Sequence, residues 1–177
     1  NFGGGLRYHS IGFTIIGKGY VGMGRTQAST YETDLWEYDP QTNQWTEKAS
    51  LPAPQRRGAI AFVVNDIAYV GTGQTYSGYA NDFYSYNPGT DSWAPIASLP
   101  GPGRTSSVAF SIGNYGYVGT GNVGGGSTDF YRYDPSTNTW MPRANVGSTI
   151  RQEAAGFALG GKGYIGTGDN YSSGTNY

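Results

Sequence analysis

"YVGTG" occupies residues 69–73 and recurs letter for letter at 117–121, with near copies "YVGMG" at 20–24 and "YIGTG" at 164–168. Glycines this close together can form a phosphate-binding turn or a piece of framework. A dinucleotide fingerprint needs Gly-x-Gly-x-x-Gly between a strand and a helix. No helical pattern follows any of the four copies. The phrase therefore reads as framework, with glycine letting neighbouring strands approach closely where a sheet twists.

Other residues keep step with it. Tyr20, Tyr69, Tyr117 and Tyr164 are 49, 48 and 47 residues apart, and the same intervals separate Arg7, Arg56, Arg104 and Arg151, and also Phe13, Phe62, Phe110 and Phe157. Asp34, Asp82 and Asp129 step by 48 and then 47, as do Tyr38, Tyr86 and Tyr133, and Trp45, Trp93 and Trp140. A fixed period of this length marks a repeat architecture.

Each unit predicts four short strands. In the second unit "AIAFVVN" (59–65) and "IAYVGTG" (67–73) are apolar, β-branched runs. Asn65-Asp66 between them tolerates the positive φ of a two-residue hairpin turn. Gly113-Asn114 and Gly160-Gly161 suit the same turn, and Ile16-Gly17 suits it less well. "DFYSYN" (82–87) alternates aromatic and smaller side chains as a third strand. "NPGTDSW" (87–93), repeated as "DPQTNQW" (39–45) and "DPSTNTW" (134–140), then turns the chain into a fourth strand beginning near each Trp. The link "ASLPAPQR" (49–56) is irregular.

Four antiparallel strands per unit of about 50 residues are the signature of a β-propeller blade. No single blade buries both its faces, and stacking side by side around an axis does. The order Arg, apolar strand, "YVG.G", then "D.Y.YDP.TN.W" resembles the kelch repeat, and the resemblance covers essentially the whole chain. Kelch repeats usually carry adjacent glycines after the second strand. The Gly-Thr-Gly variant is similar to galactose-oxidase-like kelch-motif proteins of the bacterial secreted and surface type, which implies an extracellular or cell-surface location. The expected fold is an all-β, kelch-type propeller with about 3.5 four-stranded blades. Three are complete, at about residues 5–50, 54–98 and 102–145, and the first two strands of a fourth lie at about 149–177. A closed ring needs more blades. The expectation is a slice of a longer chain, the remaining blades coming from that chain or from a second copy.

Composition excludes several functions. The chain has 30 glycines, 16 tyrosines, 13% charged residues and a formal charge of −1, with no basic run to track nucleic acid. No apolar run is long enough for a transmembrane helix. No cysteine is present, so there is no disulfide framework and no thiolate chemistry. His9 is the only histidine, which leaves the common zinc and copper sites without ligands. The oxidase of this fold uses copper with histidine and tyrosine ligands and a cysteine-linked tyrosine. That activity is not implied here, and neither a cofactor nor a metal is expected. Asn170-Tyr171-Ser172 matches a glycosylation sequon, a pattern common by chance.

Asp34, Asp82 and Asp129, once per unit at the start of the third strand, read as turn-fixing hydrogen-bonding residues rather than a metal set. Because strands alternate in direction, one face of the disc gathers the start of strand one, the end of strand two and the start of strand three. In kelch propellers that face carries recognition. It collects Arg7, His9, Arg56, Arg57, Arg104, Ser106, Arg151 and Glu153 from the strand-one starts, and Arg25, Gln74, Asn122 and Asp169 from the loops after the glycines. Flexible Tyr-Ser-Gly stretches such as "TYSGY" (75–79) follow. The recurring arginines also suit a structural role, pairing with carboxylates or carbonyls of a neighbouring blade. The residues that break the repeat, His9, Arg25, Arg57 and Glu153, are the stronger recognition candidates. The function these features imply is non-catalytic binding of a protein or glycan. The alternatives are a sugar mutarotase or epimerase, and a structural repeat of a large surface protein.

Overall fold

The computed structural model describes residues 2–170 and 175–176. Tyr171 and Ser172 of the sequon lie outside the described residues. No helix occurs among the described residues, and the chain folds as successive antiparallel sheets. The first blade comprises Ile11–Ile15, Lys18–Thr26, Tyr31–Asp39 and Gln44–Lys48, with a fifth, two-residue strand, Arg7–Tyr8, paired to Thr26 and Arg25. The second comprises Ile60–Val64, Ile67–Gly71, Phe83–Asn87 and Ser92–Ile96, and the third Val108–Ile112, Tyr115–Gly119, Phe130–Asp134 and Thr139–Arg143. Ala155–Leu159 and Lys162–Gly166 form the hairpin of the fourth. The first strands of successive blades are neighbours, which places them innermost, around the axis.

Turn chemistry explains the hairpins. Asn65 and Asp66 both take positive φ (51° and 60°), as expected. Ile16 also takes it, at 48°, although a β-branched residue is strained there. The hairpin between Ile15 and Lys18 imposes this geometry, and Ile16 points into solvent. In Gly-Thr-Gly the middle residue is left-handed as well: Met23, Thr72, Thr120 and Thr167 have φ between 54° and 61°. This twist ends strand two in the second, third and fourth blades, makes a bulge between Gly22 and Gly24 in the first, and turns the carbonyl of the left-handed residue toward the arginine of the same blade. A Cβ on Gly71 would lie 2.4 Å from the carbonyl oxygen of Asp82, so close strand approach is the reason for the first glycine of the phrase.

The core lies between blades. Phe62, on the innermost strand of the second blade, packs among Tyr69, Phe83, Tyr133 and Trp140. Its ring fills the space beside Gly116 of the third blade, where an added Cβ would sit 2.0 Å from Cε2. Phe110 bears on Gly163 of the fourth blade in the same way, at 2.4 Å. Each such enclosed ring contributes about 1.5–3 kcal/mol. Phe157, the next in the series, is 55% exposed, with no further sheet against it among the described residues.

Hydrogen bonds cross the same seams. The indole N–H of Trp93 donates to the Ala49 carbonyl (2.7 Å) and that of Trp140 to the Ala97 carbonyl (2.8 Å). Within blades, the hydroxyls of Tyr86 and Tyr133 donate to Asp91 (2.8 Å) and Asn138 (2.9 Å), turn residues at φ 48° and 52°. Burial pushes the Tyr133 phenol up to about 12, so it stays a donor throughout the physiological range.

Candidate functional site

The recurring arginines are framework. Arg56 and Arg104 have no exposed side-chain surface and Arg7 only 5%. Each forms a two-pronged pair with the aspartate of its own blade: Arg7–Asp34 (2.5 and 2.9 Å), Arg56–Asp82 (2.5 and 2.8 Å) and Arg104–Asp129 (2.5 and 2.7 Å). Nη1 of each also donates to the left-handed residue of the glycine phrase, at Met23 (3.2 Å), Thr72 (3.0 Å) and Thr120 (3.2 Å). This changes two expectations. Arg7, Arg56 and Arg104 cannot meet a ligand as members of a binding surface, and their carboxylate partners belong to the same blade, not a neighbouring one. The aspartates likewise do more than fix a turn, since each neutralises a buried cation 25–27 residues away. Desolvation pushes the Asp129 carboxyl up, but hydrogen bonds from Arg104 and Ser127 and the Arg104 charge outweigh it and hold the group below its usual range. Arg151 keeps the carbonyl contact, to Thr167 (3.1 Å), and has no carboxylate partner among the described residues.

Two residues beyond each arginine, the backbone turns left-handed again, at His9, Gly58, Ser106 and Glu153, with φ between 54° and 61°. These four positions form an arc at the mouth of the axis. The Gly58 N–H donates to the His9 carbonyl (2.8 Å), the Ser106 N–H to the Gly58 carbonyl (3.1 Å) and the Glu153 N–H to the Ser106 carbonyl (3.0 Å). One bond across each of the three seams thus joins neighbouring blades through their backbones and turns three different side chains, His9, Ser106 and Glu153, to one place, with Gly58 between them. His9 and Glu153 are exposed, and a depression of about 210 Å³ lies among His9, Ser10, Ser106 and Glu153.

A second arc lies outside the first. Tyr8 pairs with Arg25, Arg57 with Gln74, Thr105 with Asn122 and Gln152 with Asp169, all through backbone. The predicted Arg25, Arg57, Gln74, Asn122 and Asp169 are therefore brought together with His9, Ser106 and Glu153 on one face, each at least partly exposed. Asn122 uses its side chain locally, accepting from the Gly124 N–H (2.9 Å). Arg57 donates from Nε (3.0 Å) and Nη2 (2.6 Å) to the Gln74 side-chain oxygen.

Sequence reasoning missed an aromatic group at this rim. The hairpin Gln74–Thr75/Gly78–Tyr79 of the second blade leans over the first, stacking Tyr76 on Tyr31 at 4.4 Å with the rings 7° from parallel. The Tyr31 N–H donates to the Tyr76 hydroxyl (2.8 Å). Tyr31 is 8% exposed and Tyr76 is 64% exposed, so one ring is the base and the other the surface. Arg57 lies over Tyr31 and Arg25 over Tyr8, each at 5.8 Å. The Tyr-Ser-Gly composition signals the loop, but nothing in it says which ring the loop will find. Among the described residues no group of three metal-ligating side chains occurs.

A family model described as the KLHDC2/KLHL20/DRC7 Kelch-repeats domain matches residues 6–166. No curated protein matches the sequence. Among solved structures, one described as the structure of YjhT is similar to this chain with a TM-score of 0.81 at 20% identity, over 94% of this chain. This chain spans 60% of the length of that one. At that identity the likeness is one of fold.

Proposed function

Because this chain belongs to the kelch-repeat family, we propose that it is a non-catalytic module that binds a protein through the face bearing His9, Ser106, Glu153 and the Tyr31–Tyr76 rim. The carrying observation is the inner arc. Four positions with the same left-handed backbone and the same blade-to-blade hydrogen bonding hold His, Gly, Ser and Glu. A frame held constant by main-chain bonds while its side chains differ can present specificity without loss of stability. The outer arc adds tyrosine and arginine, side chains enriched at protein interfaces. A displayed library of protein fragments, selected on the protein and then tested on His9→Ala, Glu153→Ala and Tyr76→Ala, checks the reading. Binders that need these side chains support it. Binders indifferent to all three, or binding only on a glycan array, overturn it.

The second reading, a sugar mutarotase or epimerase, has one observation in its favour: His9 and Glu153, an acid–base pair in principle, border the same depression. They are the two ends of the arc, with Gly58 and Ser106 between them. A mutarotation assay in which Glu153→Gln abolishes turnover would install that reading in place of binding.

A further inference from the structure

The two arcs occupy one end of the strands and leave the other end without a role. We infer that the cleft between the second and third blades is a binding site for an uncharged, ring-bearing small molecule that carries a carbonyl or ether oxygen. The inference stands apart from the binding proposed at the loop face and uses none of its side chains. The cleft holds about 500 Å³, within the range of small-molecule sites. It is bordered by Ile67, the first residue of strand two, and Asn87, the last of strand three, so it begins at the strand ends away from the arcs.

The repeat explains why this space is open. Tyr69, Ser85 and Ala94 form one cross-strand rung of the second blade, on the face toward the third. The same rung holds Tyr20, Glu37 and Thr46 in the first blade, and Tyr117, Arg132 and Met141 in the third. Both flanking blades thus carry a long charged side chain in the middle. Glu37 accepts from the Tyr20 hydroxyl (2.5 Å) and from Lys18 (2.7 Å), and Arg132 lies over the Tyr115 ring at 4.0 Å. Ser85 is too short to do either. At the next rung Ile67 stands where the first blade has Lys18, so no ion pair takes up the space.

The short side chain also strands a donor. Tyr69 is 7% exposed and borders the cleft. Its hydroxyl has no hydrogen-bond partner among the described residues, whereas those of Tyr20, Tyr86 and Tyr133 each have one. Burial raises the Tyr69 phenol above its usual value, so the group remains a donor. A buried hydroxyl without a partner is costly, and a ligand oxygen would satisfy it. Asn138 borders the cleft as well. Its side-chain oxygen accepts from the Tyr133 hydroxyl (2.9 Å) and the Ala97 N–H (2.9 Å), which leaves its amide nitrogen as a second donor. Ile67, Ile96 and Pro135 supply apolar walls, and no carboxylate, ammonium or guanidinium lines the space. An ion entering it would lose water without gaining a partner. Stacked sheets lie about 10 Å apart, so a gap left by a missing side chain between two blades is slab-shaped and suits a flat ring.

The test screens the intact protein by fluorine NMR against fluorinated ring fragments in matched sets: acetophenones and anisoles, which are neutral, benzoates, and benzylammonium ions. The neutral carbonyl and ether fragments are expected to bind and the charged ones are not. Ser85→Glu returns the carboxylate of the first blade to the Tyr69 hydroxyl and fills the rung, and should abolish binding. Tyr69→Phe removes only the stranded hydroxyl, and should weaken the best fragment about tenfold without lowering the melting temperature. Should Ser85→Glu not fold, Ala94→Leu, at an exposed position of the outer strand, closes the cleft by bulk and carries the comparison. His9→Ala and Glu153→Ala, at the other end of the strands, should leave fragment affinity within about twofold. No bound fragment, charged fragments bound as well as neutral ones, or binding indifferent to Tyr69→Phe or to both cleft-filling variants would overturn the site, and each of these results would leave protein binding at the loop face standing.

Discussion

Asp82→Ala isolates the interaction that every blade repeats. The Arg56 guanidinium is wholly buried and makes four hydrogen bonds: two to Asp82, one to the Thr72 carbonyl and one to the Pro54 carbonyl. Truncating Asp82 leaves the carbonyl contacts and removes the one carboxylate that pairs with Arg56 among the described residues. Stranding a buried ion typically costs about 3–5 kcal/mol. The Asp82 side chain is 31% exposed, so water can enter the vacated space, and the lower end applies, about 3 kcal/mol. With a urea m-value of about 2 kcal/mol per molar, the unfolding midpoint should fall by about 1.5 M. The double variant Arg56→Met with Asp82→Leu, which removes both charges and keeps apolar bulk, should recover most of that loss, since replacing a buried pair costs far less than breaking one. Equilibrium unfolding followed by tyrosine and tryptophan fluorescence measures both. A loss under about 1 kcal/mol for Asp82→Ala, or a double variant no better than the single one, would refute the view that the aspartate is there to neutralise a buried cation.

Four further outcomes follow from the same geometry. Ile16→Asn should stabilise the protein by about 1 kcal/mol, because Asn accepts the left-handed turn that strains isoleucine and an exposed apolar side chain is removed; thermal melting checks it. Gly116→Ala should cost about 1–3 kcal/mol by pushing the Phe62 ring from its seat, and Phe62→Leu in the same chain should relieve part of the loss, as read by denaturant titration. Trp93→Phe keeps ring bulk but leaves the Ala49 carbonyl without its indole donor, for a loss of about 1–2 kcal/mol in the same titration. The Asp129 carboxyl lies lower in the folded chain than in the unfolded one, so its contribution is complete above about pH 5 and disappears as pH falls through the folded value. Asp129→Asn should therefore flatten the acid limb of a stability-against-pH curve.

Much of the fold is legible in the sequence because the repeat writes it three times over. Hairpin residues such as Asn65-Asp66 announce their backbone angles, and the drift of Arg, Phe, Asp and Trp together reveals one unit with four strands. The site is less legible. The rim candidates Arg25, Arg57 and Gln74 come from loops that interrupt the period, which is a visible signal, and so does His9. The buried arginines mislead, because a charged residue repeated at a loop looks exposed until the aspartate about 26 residues later is seen to enclose it. Nothing in the sequence spacing pairs Tyr31 with Tyr76, 45 residues away on another blade.

Local chemistry alone determined the strands, the turns and the count of blades in this chain, since each depends on neighbours within a few residues: an alternating run, a left-handed Asn or Gly, a proline before a turn. Contacts between blades were decided only in three dimensions. Whether a guanidinium is sunk beside an aspartate or left facing solvent, and which residues meet around the axis, depends on sheets brought together from far along the chain. Those meetings are set by packing against the adjacent blade, a quantity no stretch of residues contains by itself.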